Sequence, residues 1–284
     1  MNYRHAFHAG NFADVLKHVV LALVIEHLKL KPTPFRVIDT HAGVGVYDLS
    51  ADEAARTGEW RDGIDRLIGA DAAPLPEDVR HLLAPYLDAI ARLNGGAQGP
   101  LYPGSPRLAL ELMRPGDRLI ANELHPLDRA QLEVEMRGDR RAKVLGLDGW
   151  QALRAVLPPR ERRGVILVDP PFEEPGEFER LAQGLAAAVD RFATGVYLLW
   201  YPIKDAAAVG AFKRRLAMAG HAKMLAAELR VGERADRLEA AGLIVMNPPF
   251  RLEGEVRAVL PLLAERLATG PGAAATVTWL SSGQ

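Results

Sequence analysis

Val15, Leu16, Val19, Val20, Leu23 and Val24 recur at helical spacing between about Ala13 and Leu30, which predicts an amphipathic helix. "KPTP" (31–34) ends it, because proline lacks an amide donor and restricts the residue before it. "FRVIDTHAGVGVY" (35–47) then reads as a short β-branched strand, an acid and a glycine turn. Residues 51–69 and 76–94 return to helical periodicity, and "GGAQGP" (95–100) closes that stretch. In "YPGSPRLALELM" (102–113), Ser105 has the character of an N-cap, with Pro106 at the first helical position.

Beyond this point strand-like and helix-like runs alternate regularly. Strands are expected at 117–123, 142–148, 164–169, 195–202, 224–231 and 241–247, with helices at 126–136, 149–157, 177–192 and 205–219. Such alternation implies a mainly parallel sheet covered by helices on both faces. In a Rossmann-like α/β unit the glycine turn leads directly into a helix, after a connection of ~2–6 residues. Here that helix waits until Ser105, which predicts a small helical insertion at 50–102 within a domain formed by 1–49 and 103–284. The insertion would return Ser105 to the glycine turn. The last two predicted strands are too close for a parallel crossover and should pair as an antiparallel hairpin at one edge of the sheet.

Composition narrows the function classes. The 284 residues are 49% hydrophobic and 25% charged, which is ordinary globular composition. A formal net charge of −1 argues against nonspecific coating of nucleic acid but permits a local basic face. The absence of cysteine excludes disulfides, thiolate metal sites and cysteine nucleophiles. The first twenty residues lack signal-peptide character, and the apolar run near Val19 is broken by Glu26. The expectation is a cytoplasmic protein without a membrane span. Five of the eight histidines (His5, His8, His18, His27 and His41) fall within the first 41 residues. No H-E-x-x-H pattern or carboxylate partner accompanies them, so no metal is expected.

The glycine turn alone fits a plain tight turn as well as a ligand loop. It lacks the third glycine of a dinucleotide fingerprint, and the chain has no phosphate-cradling G-x-x-x-x-G-K-[ST]. What strengthens the ligand reading is a series of acids. Asp39, Glu123, Asp148 and Asp169 each close a successive predicted strand, at the edge where open α/β sheets bind ligands. Acids suited to ribose hydroxyls and an adenine amino group, with Gly43 and Gly45 at the turn, favour S-adenosylmethionine over a dinucleotide.

Two proline motifs compete for the chemistry: "DPPF" at 169–172 and "NPPF" at 247–250. An exocyclic amine is a weak nucleophile because its lone pair is delocalised into the ring. Asp169 can accept one N–H and the Pro170 carbonyl the other, while the prolines fix φ and remove competing donors. Phe172 then offers a stacking face, worth ~1–3 kcal/mol per base. If the last predicted strand is antiparallel, Asn247 lies at the opposite edge, and NPPF is a strand stop with a packed aromatic.

At this point the residues resemble a known family. "YRHAFHAGNFADVLKH", "DTHAGVGVY", "YPGSP", "NELHP", the "DG" at 148–149, "DPPFE", "FATGVYLLWYP" and "NPPF" occur in the order seen in RlmJ-type 23S rRNA adenine-N6 methyltransferases. The resemblance implies a class I methyltransferase fold, S-adenosylmethionine as donor and an adenine of 23S rRNA as target. It implies cofactor contacts at His18, His41, Ser105, Glu123, Asp148, Gly149 and Asp169, with Asp169 as catalytic acceptor. Tyr3 is the implied substrate contact, and Arg4 and His5 are expected to meet the RNA beside it. Phe172 departs from the tyrosine common in the family, which keeps stacking but loses a hydroxyl; Phe250 replaces a tryptophan found in some members. DNA adenine or cytosine amino methylation, a nucleotide-binding oxidoreductase and a catalytically silent RNA-binding module remain the alternatives. Oligomeric state is open, with a monomer favoured.

Overall fold

The computed structural model describes residues 5–95, 100–221, 223–233 and 237–281. A 3-10 turn at His5–Phe7 leads into α1 (Phe12–Lys29), whose N-cap Asn11 accepts hydrogen bonds from the amides of Ala13 and Asp14. The hydrophobic period predicts this helix but not its surroundings. Fifteen of its 18 residues are buried, including Asp14, Lys17 and His18. Other helices close over the side that amphipathicity assigns to water, so α1 is buried nearly all round.

β1 (Arg36–Asp39) feeds the glycine turn, and β2 (Val46–Asp48) pairs antiparallel with β3 (Leu101–Pro103). Between β2 and β3 run α2 (Asp52–Thr57), a 3-10 turn at Glu59–Asp62, α3 (Asp65–Ile68) and α4 (Glu77–Asn94). Val79, Leu83, Tyr86, Ala89 and Ile90 of α4 are buried and join the same hydrophobic core as α1. α5 (Ser105–Leu112) starts immediately after β3. Its N-cap is Gly104, not Ser105, which is already the first helical residue. The hydroxyl of Ser105 is drawn away from the helix end to a carboxylate, as shown below.

The remaining elements are β4 (Arg118–Asn122), α6 (Pro126–Glu135), β5 (Ala142–Leu145), α7 (Gly149–Val156), β6 (Gly164–Val168), α8 (Glu177–Arg191), β7 (Val196–Pro202), α9 (Ala206–Met218), β8 (Met224–Arg230), β9 (Ala240–Met246), α10 (Leu252–Arg266) and β10 (Ala274–Ser281). Among the described residues, eight strands form one sheet in the order β10-β8-β9-β7-β6-β1-β4-β5. β7, β6, β1, β4 and β5 are parallel neighbours, and β6 is buried at every residue, as a strand covered on both faces must be. β8 and β9 form the expected antiparallel hairpin, with β9 wedged between β7 and β8. The outermost strand on that side is β10, antiparallel to β8 and not foreseen from the sequence.

Register places the chemistry. Asp39 lies level with Ala121 of β4 and Leu167 of β6. Glu123 and Asp169 therefore emerge two residues further along, on the same carboxyl edge. No helix of the described residues is long and apolar enough to cross a membrane.

Candidate active site

The carboxyl edge of β6, β1, β4 and β5 opens into a cleft of about 1200 Å³. That exceeds the ~300–1,000 Å³ of ordinary small-molecule pockets, leaving room for a nucleoside cofactor and a second flat ligand. Beneath the cleft wall Asp39 is 1% exposed. Ser105 Oγ donates to Asp39 Oδ2 at 2.6 Å, and the His41 amide donates to Oδ1 at 3.2 Å. This first bond is what returns α5 to the glycine turn, together with the Gly104 amide donating to the Gly45 carbonyl at 2.8 Å.

Burial pushes the Asp39 carboxyl up to about 6, against the pull of Ser105 and the His41 amide. The folded state thus holds this proton more tightly than the unfolded chain does. Stability is lost as pH rises from the ordinary carboxylate value of 3.8 through about 6. Asp39→Asn is expected to remove that loss, gaining on wild type by at most about 3 kcal/mol between mildly acidic and neutral pH. Urea unfolding of the ligand-free protein at the two pH values reads the difference. A gap that stays constant with pH would contradict the assignment.

Beside Asp39, the two Glu123 oxygens accept from backbone amides: Oε2 from Gly43 at 2.9 Å and Oε1 from His125 at 2.8 Å. Each keeps a further lone pair for a hydroxyl donor. Asp148 caps α7 through Oδ1 alone, taking the Trp150 and Gln151 amides at 3.1 Å and leaving Oδ2 for a ligand. The cap and ligand readings of this residue are therefore compatible. Gly149 lines the cleft where a Cβ would stand 2.4 Å from His41 Nε2.

Thr40 Oγ1 donates to the Leu167 carbonyl at 3.1 Å, so it accepts from His41 Nδ1 at 2.8 Å. His41 Nε2 is then an acceptor, and burial pushes the imidazole down to about 4, keeping it neutral. His18 is also neutral, pushed down to about 3 by burial. Its Nδ1 meets the Tyr102 hydroxyl at 2.8 Å, which meets Tyr86 of α4 at 2.9 Å, while Nε2 is buried without a partner among the described residues.

Asp169 follows β6 directly. Its Oδ2 accepts from Lys17 Nζ at 2.6 Å, and the same ammonium lies 2.8 Å from Asp14 Oδ1. Asp14 Oδ2 in turn accepts from His5 Nε2 and from the Gly10 amide, both at 2.9 Å. Burial opposes the ammonium, but the two carboxylates hold the Lys17 pKa well above its usual range. Pro170 is buried, and Phe172 adopts φ +51°, a left-handed conformation that is costly for a side-chain-bearing residue. The Phe172 ring stands edge-on to Phe178 and Trp200, at centroid distances of 5.0 and 5.8 Å.

The sequence-predicted residues His5, His18, His41, Gly43, Ser105, Glu123, Asp148, Gly149, Asp169, Pro170 and Phe172 all line this one cleft. Tyr3 and Arg4 lie outside the described residues. NPPF is elsewhere: Asn247 Nδ2 donates to the Ala193 and Gly195 carbonyls at the amino end of β7, both at 2.8 Å. Asn247 does end its strand, but Phe250 is not packed. It is 84% exposed, with an edge contact to His27 at 5.5 Å.

Three further runs of basic residues lie away from the cleft: 140–143 enters β5 and 158–163 precedes β6, both at the opposite sheet edge, and Lys213 and Arg215 are ion-paired to Glu228 and Glu179. The cations that line the cleft are Lys17, Arg180, Lys204, Arg230 and Arg237. Among the described residues no group of three or more His, Asp or Glu is placed to hold a metal ion.

Sequence reasoning missed Asp14, Lys17, Glu59 and Trp200. The available signal was Asp14 and Lys17 themselves, an i,i+3 pair of opposite charges in a helix otherwise rich in valine and leucine.

With this geometry in place, comparison with known proteins is specific. The profile of the family described as "Ribosomal RNA large subunit methyltransferase D, RlmJ" matches residues 32–281. A protein of Escherichia coli (strain K12), named Ribosomal RNA large subunit methyltransferase J, is 43% identical over 99% of both chains. A Haemophilus influenzae protein of the same name is 41% identical, again over 99% of both. The crystal structure of protein LPL1258 from Legionella pneumophila superposes with a TM-score of 0.85 at 32% identity, covering 98% of this chain and 99% of that one. These matches run through the insertion as well as the sheet, and the chain belongs to the RlmJ family of ribosomal RNA large subunit methyltransferases.

Proposed function

We propose that this chain transfers a methyl group from S-adenosylmethionine to the exocyclic N6 amine of an adenine in 23S rRNA. The observation that carries the reading is Asp169-Pro-Pro-Phe172 at the carboxyl end of β6, one strand from Asp39 and the glycine turn and two strands from Glu123. We assign 1–49 and 103–284 to the methyltransferase domain and 50–102 to an insertion, in a cytoplasmic protein acting as a monomer on free or early-assembly RNA.

The residues present fit the cofactor. Glu123 is placed to accept from ribose hydroxyls, and Asp148 Oδ2 from an adenine amino group. Gly149 keeps open the space a side chain would fill, and His18 Nε2 is a buried polar atom in need of a partner. When bound, S-adenosylmethionine supplies an electrophilic methyl group. Asp169 and the Pro170 carbonyl then hold the two N–H bonds of the target amine, so that its lone pair faces the methyl. The catalytic contribution is positioning and electrostatics rather than covalent participation. Lys17 fixes Asp169 by one oxygen, leaving Oδ1 for the amine. Phe172, itself braced by Phe178 and Trp200, gives the base a face to stack on. The base reaches this cleft only from unstacked RNA, since an amino nitrogen inside a stack is inaccessible.

Labelled donor offered with 23S rRNA and, separately, with duplex DNA tests the proposal. Label in rRNA, released as N6-methyladenosine on digestion and mass spectrometry, is the expected result. Label confined to DNA, or on another base, would reject it.

A further inference from the structure

The insertion touches the cleft at one charged residue, Glu59. We infer that Glu59 is a positioning residue that clamps residues 5–11 across the cleft mouth, so that the insertion orients the side chains of this segment where RNA would enter. This rests on the methyltransferase reading above for the role of the cleft, though not for the clamp itself.

The contact is built from both backbone and side chains. Thr57 Oγ1 donates to the Phe7 carbonyl, and the Ile64 amide donates to the Gly10 carbonyl at 2.8 Å. Gly10 has φ +76°, and a Cβ on Gly63 would lie 2.0 Å from the Gly10 carbonyl oxygen, so the two segments touch main chain to main chain. Those bonds fix where the segment runs but not which way its side chains face.

Glu59 supplies the second property. His8 Nδ1 lies 3.1 and 3.0 Å from its two oxygens, and Asn11 Nδ2 donates to Oε2 at 2.9 Å. With Nδ2 held there, the other face of the Asn11 amide, Oδ1, is left to accept the Ala13 and Asp14 amides that begin α1. Glu59 therefore sets the rotamer of the cap on the helix that carries Asp14 and Lys17. From Asp14 the same network returns to His5 at 2.9 Å. His5, His8, Asn11 and Glu59 all line the cleft, so the clamp sits where an incoming nucleotide passes rather than behind it.

Nothing in the fold requires a carboxylate here. Glu59 is 21% exposed at its side chain and lies in a short 3-10 turn, outside the hydrophobic core. A purely structural insertion would be served by the backbone bonds and by the packing of Ile64 and Trp60.

Glu59→Ala is expected to raise KM for rRNA roughly tenfold, the scale of one charged hydrogen bond, with kcat and the Kd for S-adenosylmethionine changed far less. Glu59→Gln, which keeps one acceptor, should recover part of the loss. His8→Ala and Glu59→Ala combined should fall short of the product of their single effects, as coupled partners do. Amide hydrogen exchange over residues 8–14 should accelerate in Glu59→Ala without any RNA present. An unchanged KM together with unchanged exchange would overturn the inference, as would equal losses for RNA and cofactor. If wild type fails to methylate rRNA, the functional reading falls while the exchange measurement still decides the clamp.

Discussion

Asp169→Ala should fold, bind S-adenosylmethionine and lose methyl transfer by about 10³-fold, the upper range for removing one preorganised polar contact to a reacting group. The expectation of a folded variant comes from Lys17, which keeps Asp14 at 2.8 Å when Asp169 is gone. The buried ammonium is thus not stranded. Retained cofactor affinity follows because Glu123 and Asp148 take their bonds from other elements. Asp169→Asn is the informative control. It preserves an acceptor for the amine, yet its amide nitrogen would confront the Lys17 ammonium, so an intermediate rate is expected. Single-turnover transfer and calorimetric cofactor titration separate the two quantities. Full turnover in the alanine variant would sink the proposed mechanism.

The second large effect falls on stability. Lys17→Met should destabilise the protein by about 3–5 kcal/mol, because removing one partner leaves uncompensated buried charge. Lys17 is 5% exposed, Asp14 2% and Asp169 16%, so water does little to substitute for the ammonium. The loss should also depend on pH in a definite direction. Burial opposes ionisation of Asp14, but His5 and Lys17 outweigh it and hold the carboxyl well below its ordinary 3.8. A depressed folded pKa contributes stability above the unfolded value and loses it as pH falls through the folded one. In wild type that contribution is present at neutral pH. In the variant Asp14 is protonated more readily, so the gap between variant and wild type should narrow on acidification. Thermal midpoints from neutral pH down to the carboxylate range measure it; a gap that widens toward acid would refute the assignment.

These two residues also show which part of the site was legible in the sequence. Asp169 announces itself locally: an acid at a strand end, followed by two prolines and an aromatic. Lys17 does not, because its partner lies 152 residues away and a lysine on a helix ordinarily faces solvent. The same limit applies to α1 as a whole. Hydrophobic period gives its extent within a residue, but burial on the remaining side depends on α4, α5 and α10, which no local pattern connects to it.

Ser105 has the character of an N-cap in the sequence and a different local role in the fold. Its preference for an N-cap is weaker than a 2.6 Å bond to a buried carboxylate. Phe250 was expected to pack because aromatics usually do, and nothing in its neighbours signals that the chain turns it outward. The antiparallel direction of β9 was deducible, since the length of a connection limits topology. β10 was not. It lies on an edge with every residue exposed or half-buried, so its AATVTWLS sequence lacks the apolar run that marks a core strand.

The burial of α1 has a consequence for how the chain is made. α1 is a helix with almost no face suited to water, and it leaves the ribosome well before some of its partners. α4 and α5 follow within the first 112 residues, but β9 and α10, which also pack on it, come only at 240–266. Synthesis proceeds at ~5–20 residues per second, so α1 waits on the order of tens of seconds for its final cover. Throughout that interval the nascent chain presents an apolar helix that a chaperone can hold and a second nascent chain can capture.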